Sequence, residues 1–243
     1  MGFRESPRAF GVNQVRGFAR LLEPGDFLLV DNPSLVNSAI RHLSWATYGH
    51  AILYLGPLSA QQPYQAMEMP YKLGSLDEFF WDEDTSRVMG VHCHRLGRAE
   101  RAKIVMRAMN YADAASKGRV RYDATVILQA LGTTATSPIH GALGNDNRIA
   151  QGALASATHV AENMGDYASL PKRAMSWAKG EKYLPNLSCA ALITYIHWSG
   201  AGYRTLGRGS DPAYAQPKEL ETRVRSTPGH FKKAFEVKFG SYG

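Results

Sequence analysis

Residues 48–56 read Tyr-Gly-His-Ala-Ile-Leu-Tyr-Leu-Gly, an apolar segment with a histidine near its start. Its β-branched and aromatic content predicts a strand over 50–55, which Gly56 and Pro57 terminate. A second extended segment follows at 64–69 after a short connection. The two segments therefore predict an antiparallel hairpin, because strands joined by so short a connection pair antiparallel.

Further elements are predicted on both sides of this hairpin. Short apolar runs after turn residues indicate strands, whereas apolar residues that recur at helical spacing indicate helices. Strands are predicted at 27–30 and 88–96, and helices at 34–45, 98–115, 122–131 and 187–198. This mixture predicts an α+β fold, in which helices pack against a small antiparallel sheet.

The helix at 98–115 is predicted to be basic and amphipathic. Its apolar stripe includes Ile104, Ala108 and Met109, and its polar face includes Arg101, which we expect in solvent. Basic runs of this kind are usually solvated faces, so nucleic acid is not a favoured partner.

The composition is that of one globular domain spanning 1–243. Its 44% hydrophobic and 20% charged residues exclude a disordered, collagen-like or coiled-coil chain. Lysine and arginine outnumber aspartate and glutamate by 28 to 21, and the resulting charge of +7 favours an anionic partner, for which nucleic acid, acidic lipid and cell wall all qualify. The segment 132–182 is rich in small residues and is predicted to be an insertion, either a lid or a specificity element.

The cysteines and the first residues bear on the compartment. Two cysteines, Cys93 and Cys189, are too few for a disulfide framework, which favours a reducing compartment or a chain that is indifferent to redox state. Residues 1–10 contain no apolar run, so no secretory signal peptide is predicted. We expect synthesis in the cytoplasm and, for an envelope substrate, a specialised delivery route.

Several common catalytic motifs are absent from the sequence. It contains no phosphate-binding glycine loop, dinucleotide fingerprint, HExxH zinc helix or Gly-x-Ser-x-Gly elbow, so no cofactor is predicted. His92 and His94 could share one strand face, but no second ligand pair follows at a recognisable spacing, so no metal site is predicted either.

Cys189 is the candidate nucleophile. It is predicted to be the third residue of a helix capped by Asn186, where free N–H groups and the helix dipole favour a thiolate. The alternative is a small apolar core residue, since free cysteines are usually buried and inert.

A thiol nucleophile needs a base, and the base needs a residue that orients it. A hairpin turn centred on Ser59 would place His50 directly opposite Glu68. Side chains in such pairs are about 5 Å apart at Cβ, so the carboxylate could hold the imidazole. The alternative is a histidine at a strand end beside a solvated glutamate.

Several short motifs follow one another along 24–131 and 183–200. They are Pro-Gly-Asp-Phe-Leu-Leu-Val at 24–30, the segment 48–56, Met67-Glu68, Leu76 to Phe80, Tyr122-Asp123, and Ser-Cys-Ala-Ala-Leu-Ile at 188–193. Their order resembles that of the circularly permuted papain-like amidases, the YaeF/YiiX group. This group is related to NlpC-type cell-wall peptidases and to lecithin:retinol acyltransferase-like enzymes.

The resemblance implies a permuted papain-like fold, in which the cysteine helix packs on the sheet that carries the histidine. It also implies a site made of the nucleophile Cys189, the general base His50 and the orienting residue Glu68, with Tyr122, Tyr48 and Ser188 binding substrate or supporting the oxyanion.

The predicted function is a cysteine hydrolase that acts through a thioester acyl-enzyme on amide bonds of a peptide-like envelope substrate. A peptidoglycan stem peptide is favoured. One alternative is a lipid-directed thiol acyltransferase or phospholipase with the same triad. A second is a non-catalytic basic module that binds anionic lipid or nucleic acid. The envelope hypothesis predicts an antibacterial effector, with an immunity or delivery protein as a further partner.

Overall fold

The computed structural model describes residues 17–31, 46–62, 64–69, 72–79, 87–120, 187–206 and 215–238. The strands are β1 (Phe27–Asp31), β2 (His50–Gly56), β3 (Gln65–Glu68), β4 (Lys72–Ser75), β5 (Arg87–His92) and β6 (Lys232–Lys238). The helices are α1 (Arg98–Ser116), α2 (Cys189–Ala201) and α3 (Pro217–Ser226), and a 3-10 turn spans Leu76–Phe79. The predicted helices 34–45 and 122–131 and the predicted insertion 132–182 lie outside the described residues.

The six strands form one sheet in the order β4-β3-β2-β1-β5-β6. Every neighbouring pair is antiparallel, so the predicted α+β class and the β2–β3 hairpin are confirmed. The strand predicted at 88–96 ends earlier, at His92, and the edge strand β6 was not predicted.

Both faces of the sheet are buried, which explains why β1 and β2 are almost continuously apolar. On one face, Leu29, Ala51 and Leu53 belong to a core that also contains residues of α1 and α2. On the other face, Leu28 and Ile52 belong to a second core. Helix α2 packs on β2, and α1 packs on α2, so the helix that carries Cys189 lies against the strand that begins at His50.

Arg101 corrects the predicted polar face of α1. Its side chain is buried, and its Nη1 donates a 2.9 Å hydrogen bond to Oδ1 of the fully buried Asp26. The same carboxylate accepts from the backbone N–H groups of Glu23 and Cys93 and from Nδ1 of His92. A buried guanidinium requires such a partner, which lies 75 residues away in the chain and leaves no local signal.

Within the described segments, no helix combines the length and the apolar character needed to cross a membrane.

Gly56 ends β2 at a position that disfavours a side chain for two reasons. Its φ is +76°, and a Cβ there would lie 2.5 Å from Cγ of Pro24. We expect Gly56→Ala to lower the free energy of unfolding by about 1–3 kcal/mol beyond the cost of the positive φ alone, because the proline ring cannot easily move aside. Urea unfolding would measure the loss.

Gly118 provides the matched control for that substitution. Its φ is +68°, but nothing lies within 4 Å of its Cβ position. Gly118→Ala should therefore show only the backbone cost, about 1 kcal/mol. Equal losses in the two variants would contradict the contact with Pro24.

Candidate active site

Helix α2 begins at the proposed nucleophile. Ser188 is the N-cap residue, and its Oγ accepts a 3.3 Å hydrogen bond from the backbone N–H of Ala191. Cys189 is therefore the first residue of the helix, and the prediction that Asn186 caps it and that Cys189 is third was wrong. The serine hydroxyl reaches the amide three residues ahead, which is what sets the helix start at Cys189.

The Ser188 hydroxyl both accepts and donates a hydrogen bond within the protein, because it also donates to the carbonyl oxygen of Ala215 at 3.2 Å. We expect Ser188→Ala to lower the free energy of unfolding by about 1 kcal/mol, the usual cost of an N-cap. Thermal unfolding would measure it. Ser116→Ala at the exposed end of α1 is the control and should have little effect. An unchanged Ser188→Ala protein would rule out the cap.

The side chains of His50 and Glu68 meet as predicted. His50 is the first residue of β2, and its Nε2 donates to Oε2 of Glu68 at 2.5 Å. The predicted register was wrong, however, because Leu53 pairs with Met67. Continued by one residue, this register aligns Glu68 with Ile52, and the histidine and glutamate are diagonal neighbours on the sheet.

The hairpin connection explains this shift of register. The β2–β3 ladder is irregular between Tyr54 and Gly56, and the connection closes with a bridge between Ser59 and Gln62. The turn is therefore centred one residue later than Ser59. Diagonal pairs remain within reach of long side chains, so the contact with Glu68 survives the shift.

Lys72 does not compete for Glu68, although the two residues are direct partners across β3 and β4. The Lys72 ammonium instead donates to the carbonyl oxygen of Glu78 at 3.2 Å and lies 4.6 Å from the ring centroid of Phe79. The Glu68 carboxylate therefore remains paired with His50, and not with the adjacent cation.

Cys189 and His50 form the second contact of the site. Both side chains are largely buried, at 1% and 12% exposure, and Cys189 is the neighbour whose negative charge does most to favour the protonated imidazole. Because Nε2 is occupied by Glu68, Nδ1 is the ring nitrogen left for the sulfur. The order sulfur, imidazole, carboxylate is the arrangement that an activated thiol needs.

The charge state of His50 follows from these two neighbours. Burial by itself lowers the pKa of His50, but the negative charge of Cys189 and the hydrogen bonds to Cys189 and Glu68 outweigh it and raise the pKa to about 10. At neutral pH the imidazole is therefore protonated. A protonated imidazole beside a sulfur favours the thiolate, which is the nucleophilic form of cysteine.

Cys93 has the opposite environment. It follows β5, is fully buried and lies next to Asp26, whose oxygen accepts from the Cys93 backbone N–H. Burial, and then the charge of Asp26, raise the pKa of the Cys93 thiol well above its ordinary value. The two cysteines therefore form an internal comparison, one beside an imidazolium and one in an apolar core.

Two of the remaining predicted site residues, Tyr48 and Ser188, use their hydroxyl groups elsewhere in the structure. The Tyr48 hydroxyl is buried and donates to Oε1 of Glu236 on β6 at 2.9 Å. Burial and this hydrogen bond raise the pKa of Tyr48, so the phenol stays neutral. Ser188 is occupied as a cap, and Tyr122 lies outside the described residues. The structure thus brings together Cys189, His50 and Glu68.

Two carboxylates that sequence reasoning missed hold the segment just before His50. Oε2 of Glu221, on α3, accepts from the backbone N–H of Thr47 at 2.8 Å, and Glu236 accepts from Tyr48. These partners are 174 and 188 residues distant in the chain, so no local pattern could have indicated them. They fix the backbone from which the imidazole projects.

Among the residues that the structure describes, no cluster of three or more His, Cys, Asp or Glu side chains could hold a metal ion. No protein-family model matches this sequence, and no curated protein is significantly similar to it. The geometry of the site is therefore the basis for its proposed chemistry.

Proposed function

We propose that the protein is a cysteine hydrolase that cleaves amide bonds through a thioester intermediate. The observation that carries the proposal is the contact of Cys189, at the N-terminus of α2, with an imidazole whose other nitrogen is held by Glu68. The chain order of histidine, glutamate and cysteine, with the cysteine helix packed on an antiparallel sheet, supports a permuted papain-like architecture.

The reaction begins with the proton of Cys189 on His50. The thiolate attacks the carbonyl carbon, a C–S bond forms, and the oxygen becomes an oxyanion. Backbone N–H groups at the start of α2 are placed to stabilise this charge, because the first N–H groups of a helix lack carbonyl partners within it.

Collapse of this intermediate breaks the C–N bond, and His50 gives its proton to the departing amine. Water then attacks the thioester while His50 takes a proton from it, and the carboxylic acid leaves as the thiol re-forms. Glu68 keeps the ring oriented throughout and stabilises its positive charge. It acts through His50 and is a positioning residue.

The proposed substrate is a peptide-like component of the cell envelope, with a peptidoglycan stem peptide as the leading candidate. The charge of +7 supports this choice, since a basic protein concentrates at anionic envelope surfaces. An ester-linked lipid would pass through the same thioester, so a substrate comparison must include both classes.

Selective alkylation tests the thiolate. We expect iodoacetamide to modify Cys189 at least tenfold faster than Cys93 at about pH 6, because only Cys189 faces an imidazolium. In His50→Ala, which lacks the imidazolium, the alkylation of Cys189 should lose this advantage over Cys93. Mass spectrometry of the intact and digested protein would measure both sites.

Glu68→Gln should lower the ratio of the Cys189 to the Cys93 alkylation rate less than His50→Ala does. The amide oxygen of the glutamine can still accept a hydrogen bond from the imidazole. Glu78→Gln, on the neighbouring turn, should leave the ratio unchanged. An inert Cys189, or a reactive Cys189 that does not need His50, would overturn the proposed chemistry and favour a binding function instead.

A further inference from the structure

A cluster of cations lies at the end of the sheet opposite to the thiol. His50 pairs with Val30 at one end of β1, and Val30 pairs with Val88 near the start of β5. The other end of β5 is His92, which pairs with Lys232. Beyond that end lies the basic cluster, which we define as Arg95 after β5, Arg223 in the last turn of α3 and His230 in the turn before β6.

The chain holds these three residues close together. Nη1 of Arg95 lies 3.0 Å from Nε2 of His230. The backbone N–H of His230 donates to the carbonyl oxygen of Thr227, whose own N–H donates to that of Arg223. The turn 227–230 thus folds back on the end of α3 and brings the His230 imidazole close to Arg223.

The hydrogen bonding of the basic cluster is incomplete. A guanidinium can only donate, so Nε2 of His230 must accept from Arg95, and the ring proton is then on Nδ1. This Nδ1 and the Nε of Arg223 are both buried from solvent, and neither has a hydrogen-bond partner among the residues that the structure describes. Leaving two such donors unpaired is costly, which indicates that the cluster is built to meet an acceptor.

The charge of the cluster is also uncompensated. Neither Arg95 nor Arg223 forms an ion pair within the described part of the chain. Several other cations in these segments, though not all of them, have carboxylate partners: Arg101 with Asp26, Lys117 and Arg119 with Asp113, Arg225 with Glu221, and Lys233 with Glu236. Burial and the positive charges of Arg95, Arg223 and His94 lower the pKa of His230.

A ligand of the basic cluster must supply negative charge and several acceptor oxygens at once. A phosphate group does both, and the flat fork of an arginine matches two of its oxygens. A carboxylate offers fewer oxygens to three donor groups that approach from different elements. We propose that Arg95, Arg223 and His230 form a binding site for a phosphate group, separate from the thiol chemistry and independent of the proposed hydrolase function.

The experiment titrates the full-length protein with inorganic phosphate at constant ionic strength and follows the His230 ring signals by NMR. We expect a saturable shift and a rise of the His230 pKa, since a bound anion favours the imidazolium. Arg95→Gln and Arg223→Gln should each weaken binding by about tenfold or more, as expected for a lost charge-assisted hydrogen bond. Arg98→Gln, an exposed arginine on α1, removes the same charge and should change binding less than about twofold.

A second arm distinguishes the source of the phosphate group. Vesicles of phosphatidylcholine with phosphatidate should bind, and should compete with inorganic phosphate, if the group belongs to a lipid headgroup. Binding of inorganic phosphate without vesicle binding would identify a free phosphate or phosphometabolite as the ligand. The Cys189 alkylation rate, unchanged in each variant, would show that the protein remains folded.

Two results would overturn the proposal. One is no saturable response to phosphate up to about 10 mM, which corresponds to negligible affinity. The other is an equal loss of binding in Arg98→Gln and Arg223→Gln, which would indicate diffuse attraction to a basic surface. Vesicle binding without any response to inorganic phosphate would lead to the same conclusion.

Discussion

Hydrolysis should fall by about 10³-fold or more when Cys189 is replaced by alanine, because the thioester can no longer form. The substitution removes one atom from the first residue of α2, whose cap is the neighbouring Ser188, so the helix should remain in place. The measurement is the release of amine from a peptidoglycan stem-peptide digest, with phospholipid vesicles assayed side by side for fatty acid. Cys93→Ala is the matched control and should retain full activity.

The pH dependence of the same assay reports on His50. In the proposed mechanism, the departing amine would take its proton from the imidazolium, whose pKa is raised to about 10 by Cys189 and Glu68 despite its burial. Activity should therefore decline as the pH rises through about 10, when the ring loses this proton. In Glu68→Gln the decline should begin at lower pH, because the carboxylate no longer favours the charged ring.

Several outcomes would contradict this mechanism. Turnover that survives in Cys189→Ala would place the chemistry elsewhere in the chain. Fatty acid release without amine release would keep the thiol mechanism and change the substrate class to lipid esters. Loss of activity in Cys93→Ala, with the fold retained, would mean that the two thiols have been assigned the wrong way round.

The largest effect on stability is expected for Asp26. Asp26→Ala would leave the Arg101 guanidinium buried, with the half-exposed Glu23 as its remaining carboxylate partner and the N–H of Cys93 without its acceptor. Breaking a buried pair from one side typically costs about 3–5 kcal/mol. Urea unfolding should show a loss of this size, with the transition remaining cooperative.

Asp113→Ala is the control for charge removal. Asp113 also pairs with two cations, Lys117 and Arg119, but it is half exposed and its partners reach water. Its replacement should have little effect, since exposed pairs contribute little to stability. Comparable losses of unfolding free energy in the two variants would show that burial does not strengthen the contribution of the Asp26–Arg101 pair.

Much of the framework could be predicted from local pattern. Strands β1 and β2 are short apolar runs with clear turn residues beside them, and α2 is a continuous apolar segment. The contact of His50 with Glu68 followed from hairpin geometry, even though the register was displaced. Those features depend on residues within one turn or one hairpin of each other.

What could not be predicted depends on distant or unusual neighbours. The edge strand β6 carries Lys232, Lys233 and Lys238. Lysines are common on edge strands because they prevent pairing with other chains. In the sequence alone, such a strand is therefore difficult to distinguish from a solvated basic segment. Arg101 resembles a solvent residue until Asp26 is placed beside it. The helix start was misplaced because serine and asparagine are nearly equal as N-caps, so composition alone does not choose between Asn186 and Ser188.

The two carboxylates behind His50 have a consequence for synthesis on the ribosome. A nascent chain that has emerged as far as residue 120 carries the histidine and its glutamate, but neither the thiol nor Glu221 and Glu236. Cys189 can join His50 and Glu68 only after α2 has left the exit tunnel, and the segment before His50 gains its contacts with Glu221 and Glu236 later still. Such late assembly would keep a hydrolase inactive during translation, and it predicts that chains truncated before residue 217 alkylate slowly at Cys189.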